Sequence, residues 1–174
     1  KKPGVRIIKI EGENLPLSIE KNVAGVAAKS YLNKFPTEIG IEIEIYKKIK
    51  AGSGIGSSAA SAVGAVFGIN ELLERDIKKI DLIPFALEGE KLASGEAHAD
   101  NIAPAMLGGF TLIRDLKSLD IIKLPSPSEL VVTIIHPKIE LKTSHARAIL
   151  KTQVPLKNVV KQTANIAGLI SGLY

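Results

Sequence analysis

Ile41-Glu42-Ile43-Glu44-Ile45-Tyr46-Lys47-Lys48-Ile49-Lys50-Ala51-Gly52-Ser53-Gly54-Ile55-Gly56-Ser57-Ser58-Ala59-Ala60-Ser61 decides how this chain folds. Ile39, Ile41, Ile43 and Ile45 alternate with Gly40, Glu42, Glu44 and Tyr46, the period of a strand with one apolar face. Glu42 and Glu44 then face water and have no catalytic task. Gly52, Gly54 and Gly56 follow, and a run of small and apolar residues extends the segment as a helix to about Leu73. A residue without a Cβ takes positive φ and lets the backbone approach a ligand closely. Ser57 or Ser58 is a suitable N-cap. A glycine loop running into a helix start aims several N–H groups and the positive end of the helix dipole at one point, which suits phosphate. There is no Gly-Lys-Ser/Thr, and the spacing is Gly-x-Gly-x-Gly, so neither the Walker loop nor the dinucleotide fingerprint is met. On these residues alone two readings stand: a phosphate cradle, or a tight turn into a closely packed helix.

The chain has 174 residues, 45% hydrophobic and 24% charged, which suits one domain with a real core and excludes disorder. It has no cysteine, hence no disulfide framework and no thiolate zinc site; this fits a cytoplasmic, reducing setting. No apolar run approaches the roughly 18 residues that span a bilayer, and no signal peptide is visible, so neither a membrane nor export is expected. The net charge of +5 is modest and its lysines are scattered. With few aromatics there is no basic stripe with stacking residues, so nucleic acid is not an expected partner. The positive balance reads as a solvated surface that helps attract an anionic substrate. The chain opens at Lys1-Lys2-Pro3 without an initiator Met and ends at Tyr174 inside a helical pattern, so both ends read as cut.

Residues 5–11 alternate and predict a half-buried strand. Asn22 predicts a cap for a helix through about Lys34, with Val23, Val26, Ala27 and Leu32 inward. In the helix from Ser57, the small residues Ala59, Ala60, Ala62, Gly64 and Ala65 allow another element to come close, while Val63, Val66, Phe67 and Leu73 add core contacts. A further helix covers 82–94, with Asp81 as its cap and Pro84 tolerated in its first turn. Residues 95–101 form a loop, and Asn101 caps a short turn through Met106. Residues 110–114, 121–124 and 130–136 read as strands. Thr143 or Ser144 caps a short helix to Leu150, and 156–174 is helical but broken by Gly168 and Gly172. One boundary is expected, around 151–155.

Residues 49–60 resemble the second motif of the GHMP kinases, which usually reads Pro-x-x-x-Gly-Leu-Gly-Ser-Ser-Ala. Lys50 stands where many members have Pro, and Ile55 replaces the usual Leu. Glu90-Lys91-Leu92-Ala93-Ser94-Gly95, His98-Ala99-Asp100-Asn101-Ile102-Ala103-Pro104-Ala105 and Leu107-Gly108-Gly109-Phe110 sharpen the match, and within that family resemble the homoserine kinases. The similarity runs over essentially the whole chain, but the family's first motif and its third, Gly-Ser-Gly-Pro-like, are absent. The resemblance implies an α+β fold, a mixed or antiparallel sheet packed on helices with an unusual left-handed βαβ crossover. It places residues 1–150 in the N-terminal, ATP-binding domain and 151–174 at the beginning of a C-terminal domain. It implies ATP-dependent phosphorylation of the L-homoserine hydroxyl in threonine biosynthesis, with Mg2+ and a homodimer. The chain by itself, without the other motifs, is expected to show little turnover.

The resemblance also assigns residues. Asn22 and Val23 line the nucleotide base, against a plain reading as cap and core. Lys47 lies near the adenine, against a surface lysine. Lys50, Gly52, Ser53, Gly54, Ile55, Gly56, Ser57 and Ser58 hold the phosphates. Ser58 and Glu90 bind the metal; magnesium takes only one or two oxygen ligands from protein, and the plain reading of Glu90 is a surface helix carboxylate. A zwitterionic amino-acid substrate needs a carboxylate for its ammonium, which Asp100 suits, and a cation for its carboxylate, which the planar fork of Arg147 suits. His98 is a further substrate contact. Against these stand an ordinary helix arginine and a loop histidine that only packs. Related kinases tend to have a base aspartate near where Asn101 falls. An amide is no base, so Asn101 is expected to orient the acceptor hydroxyl or to stabilise the transition state. His136 reads as structural and His145 as surface, and the three histidines lack metal-ligand spacing. No Gly-x-Ser-x-Gly elbow occurs. Two other functions compete: another GHMP small-molecule kinase of the mevalonate-pathway type, and a non-catalytic GHMP-like protein. Mevalonate has no ammonium for Asp100, and intact Ser58, Glu90 and Asn101 argue against the second.

Overall fold

Strands β1 (Gly4–Glu11) and β2 (Gly40–Tyr46) run parallel, joined through helix α1 (Val23–Lys34), in a computed structural model that describes residues 3–95, 97–135 and 149–174. Their register sets Val5 against Ile41 and Ile7 against Ile43, so the isoleucine face predicted for β2 meets an apolar face of β1. Ile7 and Ile41 are buried, while Glu42 and Glu44 are exposed, Glu42 pairing with Arg6. Helix α1 begins where Asn22 leaves the extended region. Its side-chain oxygen accepts from the Ala24 and Gly25 N–H groups at 3.0 and 3.4 Å, and its amide nitrogen donates to the Pro16 carbonyl at 2.9 Å. A cap of this kind contributes about 1 kcal/mol.

Three helices follow: α2 (Ser57–Leu72), α3 (Lys79–Ser94) and α4 (Ala99–Leu107). Helices α1, α2 and α3 pack against one another, and α4 lies across α2 and α3. Much of their contact is made by small residues. Ala27 and Ala28, Ala59 and Ala62, and Ala86 are buried together with Tyr31, Val66, Leu82, Ile83 and Ile102. Gly89 marks the tightest point: a Cβ there would lie 2.5 Å from the Val23 carbonyl oxygen, 3.1 Å from Ala27 Cβ and 3.2 Å from Ala62 Cβ. Each large aliphatic side chain buried in this core stabilises the fold by about 1.5–3 kcal/mol. Strands β3 (Phe110–Asp115) and β4 (Asp120–Leu124) form an antiparallel hairpin against α4, and helix α5 (Leu156–Leu173) closes the described chain.

The α+β expectation holds, with the strands among the described residues in two separate two-stranded sheets, one parallel and one antiparallel. Other expectations need correction. Neither Ser57 nor Ser58 caps α2; Gly56 holds that position at φ 77°, because both serine hydroxyls are drawn to other partners. Helix α3 starts before Asp81, at Lys79, so Pro84 falls in its second turn. Asn101 is inside α4, not before it; His98 holds the N-cap position. Residues 130–135 form no strand: Leu130, Val131, Val132, Ile134 and Ile135 are exposed, and a β-branched apolar run becomes a strand only where a partner edge and a covered face exist. Helix α5 runs through Gly168 and Gly172 unbroken. The helix expected from Thr143 or Ser144, together with His136, His145 and Arg147, falls outside the described residues.

Candidate active site

Between β2 and α2 the chain makes a bend in which Gly52, Gly54 and Gly56 all have positive φ, at 72°, 76° and 77°. Non-glycine residues take this backbone only with strain. The bend delivers α2 with no side chain capping its N-terminus. The first N–H groups of a helix have no intrahelical partner, so Ser57, Ser58 and Ala59 present donors and the positive dipole end together. Ser57 is buried, and its hydroxyl donates to the Ile49 carbonyl at 2.7 Å, tying the two arms of the bend together. Its hydroxyl proton is thereby committed. Ser53 Oγ is buried within the bend and, among the described residues, has no hydrogen-bond partner. A buried hydroxyl in this state keeps its capacity to hydrogen-bond a polar group.

Three helix ends converge beside Gly56. Ser58, in the first turn of α2, donates from Oγ to Glu90 Oε2 at 3.0 Å. Glu90, near the end of α3, is only 7% exposed. Burial pushes its carboxyl above the usual carboxylate value; the Ser58 hydrogen bond opposes this, the like charge of Asp100 adds to it, and His98 counters it. Asn101 leans on the bend itself: a Cβ on Gly56 would lie 3.3 Å from Asn101 Oδ1 and 3.6 Å from Asn101 Cβ. Asp100 and Asn101 are exposed in the first turn of α4, and Asp100 Oδ1 accepts from the Asn101 N–H at 3.0 Å. Ser58, Glu90, His98, Asp100 and Asn101 thus come together from three helices, as the sequence predicted. Among the described residues no group of three or more His, Cys, Asp or Glu could hold a metal ion. The Ser58–Glu90 oxygen pair does fit magnesium, which keeps most of its ligands as water and phosphate.

A cleft of about 370 Å³ opens between β2 and α2, walled by Ile43, Ile45, Tyr46, Ile49 and Ala65 and floored by Ala60, Ser61 and Gly64. The small residues of α2 therefore serve two purposes: Ala59 and Ala62 press against other helices, while Ala60 and Gly64 leave space. Lys47 lines this cleft and donates from Nζ to the Ser57 carbonyl and to Ser61 Oγ, each at 2.8 Å. Burial lowers the Lys47 pKa, and the charge of Glu13 opposes that shift. Asn22 and Val23 do not line the cleft; Ala24 does, and both polar groups of the Asn22 side chain are engaged in capping α1 and holding Pro16. Lys50 is exposed at the start of the bend. Sequence reading missed Ser61, although its place four residues after Ser57 sets it on the same helix face. It also missed Glu13, whose carboxylate accepts from the Ala51 N–H at 3.2 Å. No local pattern signals a contact across 38 residues.

Comparison with known proteins follows the same lines. A family model described as the GHMP kinases N terminal domain matches residues 21–109. The chain is 44% identical over 174 residues to a homoserine kinase of Methanococcus vannielii, covering 98% of this chain and 57% of that protein. It is 45% identical over 169 residues to a homoserine kinase of Chlorobium phaeobacteroides, covering 94% and 53%. The crystal structure of homoserine kinase from Cytophaga hutchinsonii superposes with a TM-score of 0.92 at 50% identity, over 99% of this chain and 55% of that one. A mevalonate kinase structure superposes with a TM-score of 0.53 at 20% identity, over 68% of this chain and 42% of that one, a likeness of fold alone. The chain spans about half the length of the curated relatives it matches. A glycine bend at the mouth of an uncapped helix is open to several interpretations, but the match over 21–109 is not: this chain belongs to the GHMP kinase family, through that family's N-terminal domain.

Proposed function

We propose that this chain is the ATP-binding part of a homoserine kinase, which transfers the γ-phosphoryl group of ATP to the side-chain hydroxyl of L-homoserine, giving O-phospho-L-homoserine and ADP in threonine biosynthesis. The observation that carries this reading is the meeting of Ser58, Glu90 and Asn101 at the open N-terminus of α2. The homoserine kinases at 41–45% identity support it.

In this reading the base enters the cleft between β2 and α2, with Lys47 at its edge and the apolar side chains of Ile43, Ile45 and Ile49 excluding water. Gly52, Ser53, Gly54, Ile55, Gly56, Ser57 and Ser58 receive the phosphates, mostly through backbone N–H groups, and Lys50 adds positive charge at the edge. Asn22 and Val23 act indirectly, by holding α1 and Ala24 in place. Ser58 and Glu90 would hold Mg2+, which neutralises charge that builds up on the transferring phosphoryl group. Asp100 takes the substrate ammonium, His98 contacts the substrate, and Arg147 takes its carboxylate. Asn101 orients the attacking hydroxyl, whose proton passes to the phosphate rather than to a side-chain base. Residues 151–174 belong to the start of a second domain, a division supported by α5 having no residue buried among the described residues. Among the described residues no helix is long and apolar enough to cross a membrane. A cytoplasmic homodimer completes the reading.

The test is a coupled ADP-release assay of the full-length protein with homoserine, mevalonate and galactose in parallel. Turnover with homoserine alone is the expected result. Turnover with mevalonate instead would transfer the assignment to another branch of the family, and no turnover with any of the three would remove it.

A further inference from the structure

The two arms of the glycine bend are held differently. On the second arm a Cβ added to Gly54 would meet nothing within 4 Å, and α2 begins without a side-chain cap. The first arm is tied to a distant loop. Strand β1 ends at Glu11, whose carbonyl accepts from the Lys47 N–H at 2.8 Å. Gly12 follows at φ 92°, and it is pressed so closely on β2 that a Cβ there would fall 2.1 Å from the Lys47 carbonyl oxygen. This junction fixes where residue 13 emerges. The Glu13 carboxylate then accepts from the Ala51 N–H, the first amide of the bend, at 3.2 Å. It also faces the Lys47 ammonium, whose pKa it raises against the effect of burial.

We propose that Glu13 is a positioning residue that pins the first arm of the bend through the Ala51 N–H, so that an incoming polyphosphate is received by the later amides beside Ser58 and Glu90. The proposal rests on the kinase reading above and adds to it a residue outside the glycine motif. The chemistry is direct. A carboxylate bound to an amide N–H is a charge-assisted acceptor, and it occupies the donor that phosphate would otherwise take. Its negative charge also disfavours phosphate at that arm, leaving the positive helix terminus as the better seat. The pin draws on backbone geometry at Gly12 rather than on the bend's own sequence.

The experiment uses the full-length protein with Glu13→Ala and Glu13→Gln, the second retaining an oxygen acceptor without the charge. Hydrogen–deuterium exchange of the peptide covering residues 48–56, without nucleotide, reads the pin itself. Steady-state kinetics read its consequence. Glu13→Ala is expected to speed exchange in that peptide and to raise KM for ATP about 5-fold with kcat within about 2-fold, the size of one hydrogen bond to a charged group discounted for exposure. Glu13→Gln is expected to restore both towards wild type. Unchanged exchange and unchanged KM in Glu13→Ala overturn the proposal, as does a Glu13→Gln variant that behaves like Glu13→Ala. If the wild-type protein turns over no ATP, the kinase reading fails, while the exchange comparison still decides whether Glu13 pins the bend.

Discussion

Helices α2 and α5 are alike in length, 16 and 18 residues, and each contains two glycines, yet their surroundings are opposite. Helix α2 buries Ala59, Ala62, Val63, Val66, Ile69 and Asn70 among its neighbours and presents its N-terminus to the site. Among the described residues helix α5 buries nothing, and Leu156, Val159, Val160, Ile166 and Leu169 lie exposed along it. The difference teaches that apolar periodicity specifies a helix but not what the helix covers. Around α2, close approach by small residues is the source of both stability and site geometry. Around α5, the same kinds of residue have no such task in the described structure.

The sharpest way to break this contrast is at Gly89, where α1, α2 and α3 meet. Gly89→Val drives side-chain atoms into the Val23 carbonyl and the Ala27 and Ala62 methyls, and is expected to destabilise the fold by about 3 kcal/mol. Urea unfolding measures it; a variant of wild-type stability would show that the three helices are not packed as described. Next comes Asn101, which touches the bend at Gly56. On its proposed role, Asn101→Ala lowers kcat of the full-length protein about 100-fold with KM for ATP changed far less, the loss typical of one transition-state donor. A kcat within a few-fold of wild type would retire that role.

Glu90 gives a smaller, pH-dependent effect. Burial raises its folded-state pKa above the ordinary 4.5, so between that value and the raised one the folded state binds a proton that the unfolded chain has lost. Its contribution to stability therefore falls as pH rises through this window and is least favourable above it. With a chelator present, Glu90→Gln is expected to flatten the stability profile over that interval, as read by urea midpoints from pH 4 upward. The same slope in both proteins would mean that Glu90 is solvated. The smallest effect lies in α5, where a Cβ on Gly168 meets nothing within 4 Å. Gly168→Ala is expected to raise helix stability by about 0.5–1 kcal/mol, in contrast to the loss at Gly89. Destabilisation at Gly168 would reveal a packed partner on α5.

How much of this was legible beforehand depends on the range over which each feature is decided. Strand β2 was plain from four alternating isoleucines, and α1 from Asn22, because both are decided within a few residues. The bend was plain from its glycines, but the cap was misread. Ser57 and Ser58 have the right chemistry for an N-cap, yet Ile49 and Glu90 take their hydroxyls first, and Glu90 lies 32 residues away. Residues 130–135 are rich in β-branched residues, as strands are, yet among the described residues they pair with no edge. Ser58, Glu90, His98, Asp100 and Asn101 do lie together, because a resemblance to a family transmits tertiary proximity that periodicity cannot, whereas Asn22 and Val23 stand off the cleft and Arg147 is outside the described residues. Glu13 escaped for the converse reason: it belongs to no motif.

The chain's own order of residues determined the local elements, the positive-φ bend and the chemical groups available to bind an anion, since backbone preference and side-chain chemistry act over one or two turns. Only the tertiary structure decided which donors remain open. The close packing at Gly89 and Gly56 sets the distances between α2, α3 and α4, and those distances leave the N-terminus of α2 uncapped while drawing Ser58 to Glu90, Asn101 to Gly56 and Glu13 to Ala51.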